Sequence, residues 1–416
     1  MSSPITPVAI TGLGVASPVG VGRYTYHSAQ LAARSGIDTI RSYDPGTDQV
    51  HIAGEVTVPP ELDADRRERL RTDRCTRLAA VAAHLAVEDA GLDPHGGVDP
   101  RRTGVVMGSG IGGAGSWEAG FLDFQRGGPP AIRTRTVPMG MVNGAAAWIA
   151  IHYGLTGPCT TVCTACAAGS DALVAAHHMI AAGEADIVLA GGAEAPVVRG
   201  VVAAFTRLTA LSGRNDEPQR ASRPFAKDRD GFVIAEGAAV LVLEAPAHAA
   251  ARGAAELARL VGYGRSCDAH HVTMPHPGGV GARVAIEAAL RSAGAAPSDV
   301  RFVNAHGTGT VQNDAAEARA LHAAFGAGGV PPVTATKSIT GHALGAAGAL
   351  EAVATVQALT AGLVPPAANQ DEPDTELGLD VVADEPRPVA SGLALSNSFA
   401  FGGHNVVLAF EGGPAR

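Results

Sequence analysis

The chain has 416 residues, of which 46% are hydrophobic and 17% are charged, a balance that excludes an intrinsically disordered protein. Its formal net charge is -9, which disfavours nucleic-acid binding through bulk positive charge, so no nucleic-acid partner is expected. Five cysteines in so long a chain argue against a disulfide scaffold and for a reducing compartment. The N-terminus lacks the features of a signal peptide, and no uninterrupted apolar stretch is long enough to span a membrane. We therefore expect a cytoplasmic protein without a membrane segment.

Strands and helices are predicted to alternate along the N-terminal part of the chain. Short apolar runs at Val8–Ile10, Thr103–Met107 and Ile187–Ala190 each end in glycines and predict buried strands. Apolar residues at helical spacing predict helices at Arg77–Ala90 and Cys166–Ala182, each followed by a glycine. This alternation indicates an α/β fold with a parallel sheet and helices on its faces.

The C-terminal part of the chain repeats the same theme. Its predicted strands and helices are Leu257–Gly262, Val280–Ala293, Val300–Ala305 and Ala343–Leu359. Both parts finish in similar segments, GAAVLVLE at Gly237–Glu244 and GHNVVLAF at Gly403–Phe410. The pattern suggests an internal duplication, with an N-terminal half at residues 1–252 and a C-terminal half at residues 253–416.

Cys166, in the segment TACAAG, is the candidate nucleophile. It opens a predicted Ala-rich helix, and a helix N-terminus favours a thiolate and offers N–H groups to a developing oxyanion. A buried, inert cysteine is the alternative. Cys163 and Cys166 also form a Cys-x-x-Cys motif, so a thiol-disulfide oxidoreductase stays open as a second class of function.

Two histidines lie in glycine-rich turns, where α/β folds often place their sites. His306 is in NAHGTGT, directly after a predicted strand, and His342 is in KSITGHALG. For each one, a capping or core histidine is the alternative. Lys337, one of only two lysines in the chain, lies five residues before His342. The histidines between positions 270 and 276 lack the cysteine or carboxylate set that would complete a metal site, so no metal is predicted.

Nine ordered segments resemble the β-ketoacyl-acyl carrier protein synthases of the thiolase-like superfamily, especially the KAS II type. The segments are VAITGLGVASPVG, GSGIGG, TACAAG, AGGAE, ASRPF, DRDGFVIAEG, NAHGTGT, TKSITGHALGAAG and NSFAFGGHN. The resemblance implies a thiolase-like, five-layered αβαβα fold built from two duplicated halves. It also implies decarboxylative Claisen condensation, in which malonyl-carrier protein elongates an acyl chain held as a thioester on Cys166.

The resemblance also assigns catalytic roles. Cys166, His306 and His342 match the catalytic triad of the family, and Lys337 matches a required lysine beside it. The backbone N–H groups of Cys166 and Phe401 would form the oxyanion hole. Two neutral imidazoles would donate N–H groups to the malonyl thioester oxygen and stabilise the enolate left by loss of CO2.

Further matches concern residues that would shape or hold the site. Phe399 and Phe401 lie in a glycine-rich segment that would gate access, and Ile111 matches a residue at the far end of the acyl pocket. Ordinary turn packing is the alternative for Phe401 and Ile111. The acidic residues that would hold the His306 loop and Lys337 are Asp314, Glu317 and Glu351.

The expected partner is an acidic acyl carrier protein, whose phosphopantetheine would deliver the acyl groups without a further cofactor. The docking candidates lie in one arginine-rich segment and are Arg66, Arg67, Arg69, Arg71 and Arg74. A solvated helix of mixed charge is the alternative. Because Cys166 is retained, the chain matches an active subunit, either a homodimer or a heterodimer with a chain-length-factor-like subunit.

The pathway is open between two systems. The segment Val311–Asp314 favours a dissociated (type II) polyketide system, whereas Phe399–Asn405 favours the fatty-acid type. The first is preferred slightly, and a housekeeping fatty-acid KAS II homodimer is the alternative.

Overall fold

The computed structural model describes residues 4–93 and 96–413. The strands in these residues are β1 Val8–Ser17, β2 Gly20–Val21, β3 Ile37–Thr39, β4 Ile52–Gly54, β5 Thr103–Gly108, β6 Cys159–Val162, β7 Ile187–Glu194, β8 Gly237–Glu244, β9 Ala258–Cys267, β10 Val300–Asn304, β11 Val333–Thr334, β12 Leu363–Val364, β13 Arg387–Pro388, β14 Leu393–Phe399 and β15 His404–Gly412. The helices are α1 Arg23–Leu31, α2 Arg66–Arg69, α3 Arg74–Asp89, α4 Ala114–Gly127, α5 Thr136–Gly140, α6 Gly144–Tyr153, α7 Ala168–Ala181, α8 Arg199–Arg207, α9 Pro218–Ala221, α10 Pro246–Ala251, α11 Val280–Ala293, α12 Val311–Phe325, α13 Lys337–Thr340 and α14 Ala347–Ala361.

The main sheet contains the same five-stranded pattern twice. The N-terminal strands run in the order β6-β5-β7-β8-β1 and the C-terminal strands in the order β11-β10-β14-β15-β9. In each set the first three strands are parallel, and the last two join antiparallel. The two sets meet where β1 pairs with β9 over Val8–Ile10. The prediction of a wholly parallel sheet is therefore wrong for the inner strands, since a short connection such as the one between β14 and β15 can form only an antiparallel pair.

Three apolar cores separate the layers. Helices α3 and α6 pack on the outer face of the N-terminal strands, and α11 and α12 pack on the outer face of the C-terminal strands. Helices α7 and α14 lie between the two sets of strands and contribute most of the central core. The resulting order is helix, sheet, helix, sheet, helix, which confirms the predicted five-layered fold with two similar halves.

Glycines let one outer helix approach the sheet closely in each half. A Cβ built at Gly14 of β1 would lie 1.9 Å from the Ala82 carbonyl oxygen of α3. A Cβ built at Gly264 of β9 would lie 1.9 Å from the Ala285 carbonyl oxygen of α11. This close contact between a strand glycine and a helix alanine occurs in both halves. It explains much of the excess of glycine and alanine, because only a residue without a side chain fits in the strand at this contact.

The central helix of the C-terminal half is apolar enough to resemble a membrane span. The segment Leu344–Ala361 has a mean hydropathy of 1.3, but 89% of it is buried inside the fold. Its position between the two sheets accounts for the composition, because a helix buried on all sides carries no polar face.

Candidate active site

Cys166 lies at the crossing from β6 into α7. The helix predicted to begin at this cysteine starts at Ala168, and Cys166 itself is in a preceding 3-10 turn, Ala165–Ala167. Ala165 has a φ of +48°, so the residue before the candidate nucleophile is held in the left-handed region. This turn buries Cys166 and aims the N-terminus of α7 at its position.

The thiol of Cys166 is neutral in this environment. Burial raises its pKa to about 11, although the positive charge of Lys337 and hydrogen bonds from the backbone N–H groups of Phe401 and Cys166 oppose the rise. Desolvation outweighs these opposing contributions in the resting site. The same two N–H groups beside the sulfur are the pair expected to form the oxyanion hole.

His306 and His342 meet at the base of one cavity. Their ring centroids are 5.4 Å apart and the rings are nearly perpendicular, at 84°. His306 follows β10, whereas His342 lies between α13 and a 3-10 turn and is held by its backbone N–H, which donates to the Val233 carbonyl over 2.7 Å. Burial, followed by the nearby charge of Lys337, lowers the pKa of both imidazoles well below 6.5. Both rings are therefore neutral near pH 7.

Lys337 is fully buried and fixes the orientation of His306. Its Nζ donates to the His306 carbonyl over 2.6 Å, lies 3.2 Å from His306 Nδ1, and pairs with Glu351. An ammonium can only donate, so His306 Nδ1 accepts and the ring proton is on Nε2. Burial raises the pKa of Glu351 to about 7, against the opposing charge of Lys337.

The other two predicted acids hold loops instead of Lys337. Glu317 accepts the backbone N–H groups of His306 and Gly307, each over 2.9 Å. Asp314 accepts the Phe225 N–H over 2.8 Å and the Gly309 N–H over 3.3 Å, which joins the His306 loop to the ASRPF segment. The structure thus places all three acids around the site, and only Glu351 contacts the lysine.

A cavity of about 400 Å³ leads from the surface to these groups. Cys166, His306, His342, Phe399 and Phe401 line its inner part. The polar residues in its wall include Asp230, His271, Thr273, Thr308, Thr310, Gln312 and Asn313.

Two predicted pocket residues occupy different surroundings. Phe401 opens a short turn in which Gly402 and Gly403 have φ values of +80° and +74°, a backbone that other residues rarely adopt. Ile111 does not line the cavity and packs in the apolar cluster that contains Cys166 and Leu344. Ile111 is therefore part of the apolar surroundings of Cys166, and its place at the far end of an acyl pocket stays a prediction.

The predicted docking arginines do not form one uniform set. Arg66, Arg67 and Arg71 are exposed, and Arg69 is exposed but pairs with Asp63 over 2.8 Å. Arg74 is half-buried; it donates to both carboxylate oxygens of Glu236 and to the Val56 carbonyl. These contacts tie Arg74 to the fold, unlike the other arginines of the segment, and its part in docking stays a prediction.

Glu194 is a site residue that sequence reasoning missed. It ends β7, is wholly buried, and accepts hydrogen bonds from the loop containing Ile111 and from Gly345. The available signal was a charged residue at the end of the apolar strand in AGGAE, where burial demands several donors.

Comparison with known proteins decides the family. The sequence model of the beta-ketoacyl synthase N-terminal domain matches residues 6–249, and that of the C-terminal domain matches residues 257–371. The chain belongs to the beta-ketoacyl synthase family. It is 42% identical over 409 residues to 3-oxoacyl-[acyl-carrier-protein] synthase 2 of Synechocystis sp., covering 97% of each chain. It is 39% identical to the chloroplastic 3-oxoacyl-[acyl-carrier-protein] synthase I of Hordeum vulgare, covering 98% of this chain and 90% of that one.

Solved structures of the family have the same fold. The ishigamide ketosynthase/chain length factor aligns with a TM-score of 0.91 at 35% identity, covering 98% of this chain and 99% of that one. A type II PKS ketosynthase, solved with its acyl-carrier protein and described as AntDE:AntF, aligns with a TM-score of 0.89 at 33% identity and the same coverage. This beta-ketoacyl synthase is therefore an acyl-transferring condensing enzyme.

The thiol-disulfide alternative is not favoured. All five cysteines are free, and the two of the motif differ sharply, since Cys163 is exposed and Cys166 is buried. Cys163 Sγ faces the Gly110 carbonyl at 3.7 Å. The motif does not explain why two neutral histidines converge on the cavity that contains Cys166.

Proposed function

We propose that this synthase transfers an acyl chain to Cys166 and extends it with a malonyl unit that loses CO2. One observation carries the proposal. A single cavity contains a buried thiol with two N–H donors beside it, and the same cavity contains two neutral imidazoles. The two N–H donors can stabilise a tetrahedral oxyanion by hydrogen bonds, and the imidazoles can stabilise an enolate. Condensation passes through both of these intermediates.

In the first half-reaction the Cys166 sulfur attacks the thioester carbonyl of the incoming acyl group. The oxyanion forms beside the N–H groups of Cys166 and Phe401. As it collapses, the new bond to Cys166 is kept, the bond to the carrier sulfur breaks, and the proton of the Cys166 thiol passes to the departing thiol. Because the thiol is protonated at rest, its deprotonation accompanies the attack.

In the second half-reaction the malonyl thioester loses CO2. The electron pair of the broken carbon–carbon bond enters the thioester as an enolate, whose oxygen accepts N–H groups from His306 and His342. The enolate carbon attacks the acyl carbonyl on Cys166, a carbon–carbon bond forms, and the cysteine sulfur leaves. Lys337 supports the step by holding His306 with its Nε2–H free to donate.

We propose that both substrates arrive on the phosphopantetheine of an acyl carrier protein and that no further cofactor takes part. Hydroxyl and amide groups of Thr308, Thr310 and Gln312 line the cavity wall and suit the amides of a pantetheine arm. The exposed Arg66, Arg67 and Arg71 offer an acidic carrier a positive surface. The related AntDE:AntF structure, described as a ketosynthase with its acyl-carrier protein, supports this partner.

Charge reversal of the exposed arginines separates docking from folding. The triple variant Arg66→Glu, Arg67→Glu, Arg71→Glu should raise KM for carrier-bound malonyl about tenfold, because the carrier is repelled. It should leave KM for a pantetheine thioester unchanged.

Arg74→Ala should instead lower Tm, because Glu236 is left buried without its partner. Steady-state kinetics at low and high salt check the triple variant, and thermal melts check Arg74→Ala. If the KM of the triple variant for carrier-bound malonyl equalled that of the wild type, the proposed docking surface would be contradicted.

The pathway proposal is elongation in a dissociated, type II system. The related solved structures include one type II PKS ketosynthase and one ketosynthase/chain length factor, whereas the curated relatives are 3-oxoacyl-[acyl-carrier-protein] synthases. We propose a dimer, with either a second copy or a chain-length-factor-like subunit. We also propose a cytoplasmic location, which the five free cysteines support.

Mass spectrometry of the purified protein tests the function directly. Incubation with acyl-carrier protein should add one acyl group to the Cys166 peptide, and later addition of malonyl-carrier protein should remove it as a chain two carbons longer on the carrier. Native mass measurement of the co-purified complex distinguishes a homodimer from a heterodimer. Absence of an acyl group on Cys166, with an active carrier, would overturn the proposal.

A further inference from the structure

Glu194 is a buried acid that the condensation steps above do not use. Its side chain is 0% exposed and lies at the end of β7. It accepts hydrogen bonds from the Ser109 hydroxyl over 2.9 Å and from the backbone N–H groups of Gly110 over 2.6 Å, Ile111 over 3.2 Å and Gly345 over 3.1 Å. No Lys, Arg or His among the described residues forms an ion pair with it.

The four donors come from two segments that are distant in the sequence, the Ser109–Ile111 loop and the turn that contains Gly345. The Ser109–Ile111 loop follows β5, and a Cβ built at Gly110 would lie 3.8 Å from Cα of Ala165, which precedes Cys166. Gly345 belongs to the turn after His342. A Cβ built at Gly345 would lie 2.4 Å from the Gly110 nitrogen, so the two segments are in backbone contact. The carboxylate therefore joins the loop beside the nucleophile to the turn beside a histidine.

We infer that Glu194 is a positioning residue of the condensing site, a carboxylate that joins these two segments and places a negative charge behind Cys166. Only an ionised carboxylate satisfies four donors with two oxygens and needs no acceptor of its own. Glutamine would leave two of the donors facing an NH2 group. The inference rests on the proposed function for its meaning, but the geometry that carries it is independent of substrate.

The charge of Glu194 has a measurable consequence at Cys166. Burial is the main reason that the pKa of the thiol is raised; the charge of Lys337 opposes this rise, and the carboxylate of Glu194 adds to it. The two nearby histidines are neutral. Burial also raises the pKa of Glu194 to about 7, and the charge of Glu194 acts on the thiol of Cys75 in α3 as well. Removal of this charge should shift ionisation of the Cys166 thiol to lower pH.

The test compares alkylation of Cys166 by iodoacetamide in three variants as a function of pH, with the Cys166 peptide quantified by mass spectrometry. Glu194→Gln removes the charge and should raise the rate at pH 8 about threefold or more, because the thiolate fraction rises. Ser109→Ala removes one hydrogen bond from the same loop and retains the charge, so its profile should match that of the wild type. Glu244→Gln removes another wholly buried carboxylate, remote from Cys166, and should also match.

Two outcomes would overturn the inference. An unchanged profile in Glu194→Gln would show that the carboxylate does not act on Cys166. An equal shift in Ser109→Ala would show that a loosened loop, and not the charge, exposes the thiol. If Glu194→Gln fails to fold, Glu194→Asp replaces it: it retains the charge on a shorter side chain and should keep the wild-type pH midpoint while lowering Tm. Failure of the wild type to accept an acyl group would instead refute the proposed function alone.

Discussion

Cys166→Ala should abolish acyl transfer and condensation, with a loss of at least about 10³-fold, because no other group at the base of the cavity can form the thioester. The fold should be retained, since alanine occupies the same turn and removes only a sulfur atom. Decarboxylation of malonyl-carrier protein should persist, because that step depends on His306 and His342. The measurements are the acyl mass on the protein, condensed product, and CO2 release.

Cys163→Ala is the matched control for this experiment. It lies three residues away, is exposed, and should leave all three measurements at wild-type values. A loss of condensation in Cys163→Ala equal to that in Cys166→Ala would indicate that the two cysteines act as a pair and would revive the thiol-disulfide alternative. Normal elongation by Cys166→Ala would refute the covalent mechanism.

His306→Ala and His342→Ala should each lower malonyl decarboxylation about 10²- to 10⁴-fold and acyl transfer to Cys166 much less. Each variant removes one of the two N–H donors to the enolate oxygen, whereas the oxyanion of acyl transfer relies on backbone N–H groups. Separate assays of CO2 release and of acyl mass on Cys166 give the two rates. His152→Ala, an exposed histidine on α6, is the control. An equal loss of both half-reactions would contradict the division of roles.

The two half-reactions should also differ in their dependence on pH. Both histidines have a pKa well below 6.5, so they stay neutral from pH 8 down to 6.5, and their protonation should not slow decarboxylation over this range. Decarboxylation should fall steeply when the pH drops through their lowered pKa and the imidazoles become protonated. Acyl transfer should rise with pH toward the pKa of about 11 at Cys166, as its thiolate fraction grows. Initial rates of each half-reaction against pH check this contrast.

Many of the secondary-structure elements were predictable because each has a local signal. The helix predicted at Val280–Ala293 has the bounds found in the structure, and the strand predicted at Val300–Ala305 differs from β10 by one residue at its end. The predicted boundary of a helix was wrong where two local patterns merge. The Ala-rich segment that begins at Cys166 predicts one helix, but in the structure a 3-10 turn precedes the helix. The predicted parallel direction of the inner strands was also wrong, because strand pairing depends on contacts between distant segments.

The sequence by itself determined the family, the two similar halves and the identity of the candidate catalytic residues, because these rest on ordered motifs and on residue types that the chemistry requires. Only the tertiary structure decided what those residues experience. It showed that burial keeps Cys166 protonated and both histidines neutral, and that Arg74 anchors Glu236. It also showed that buried Glu194 accepts hydrogen bonds from Gly110 and Gly345. Desolvation and charge pairing depend on residues far apart in the chain, such as Glu194 and Gly345, and no local pattern encodes that distance.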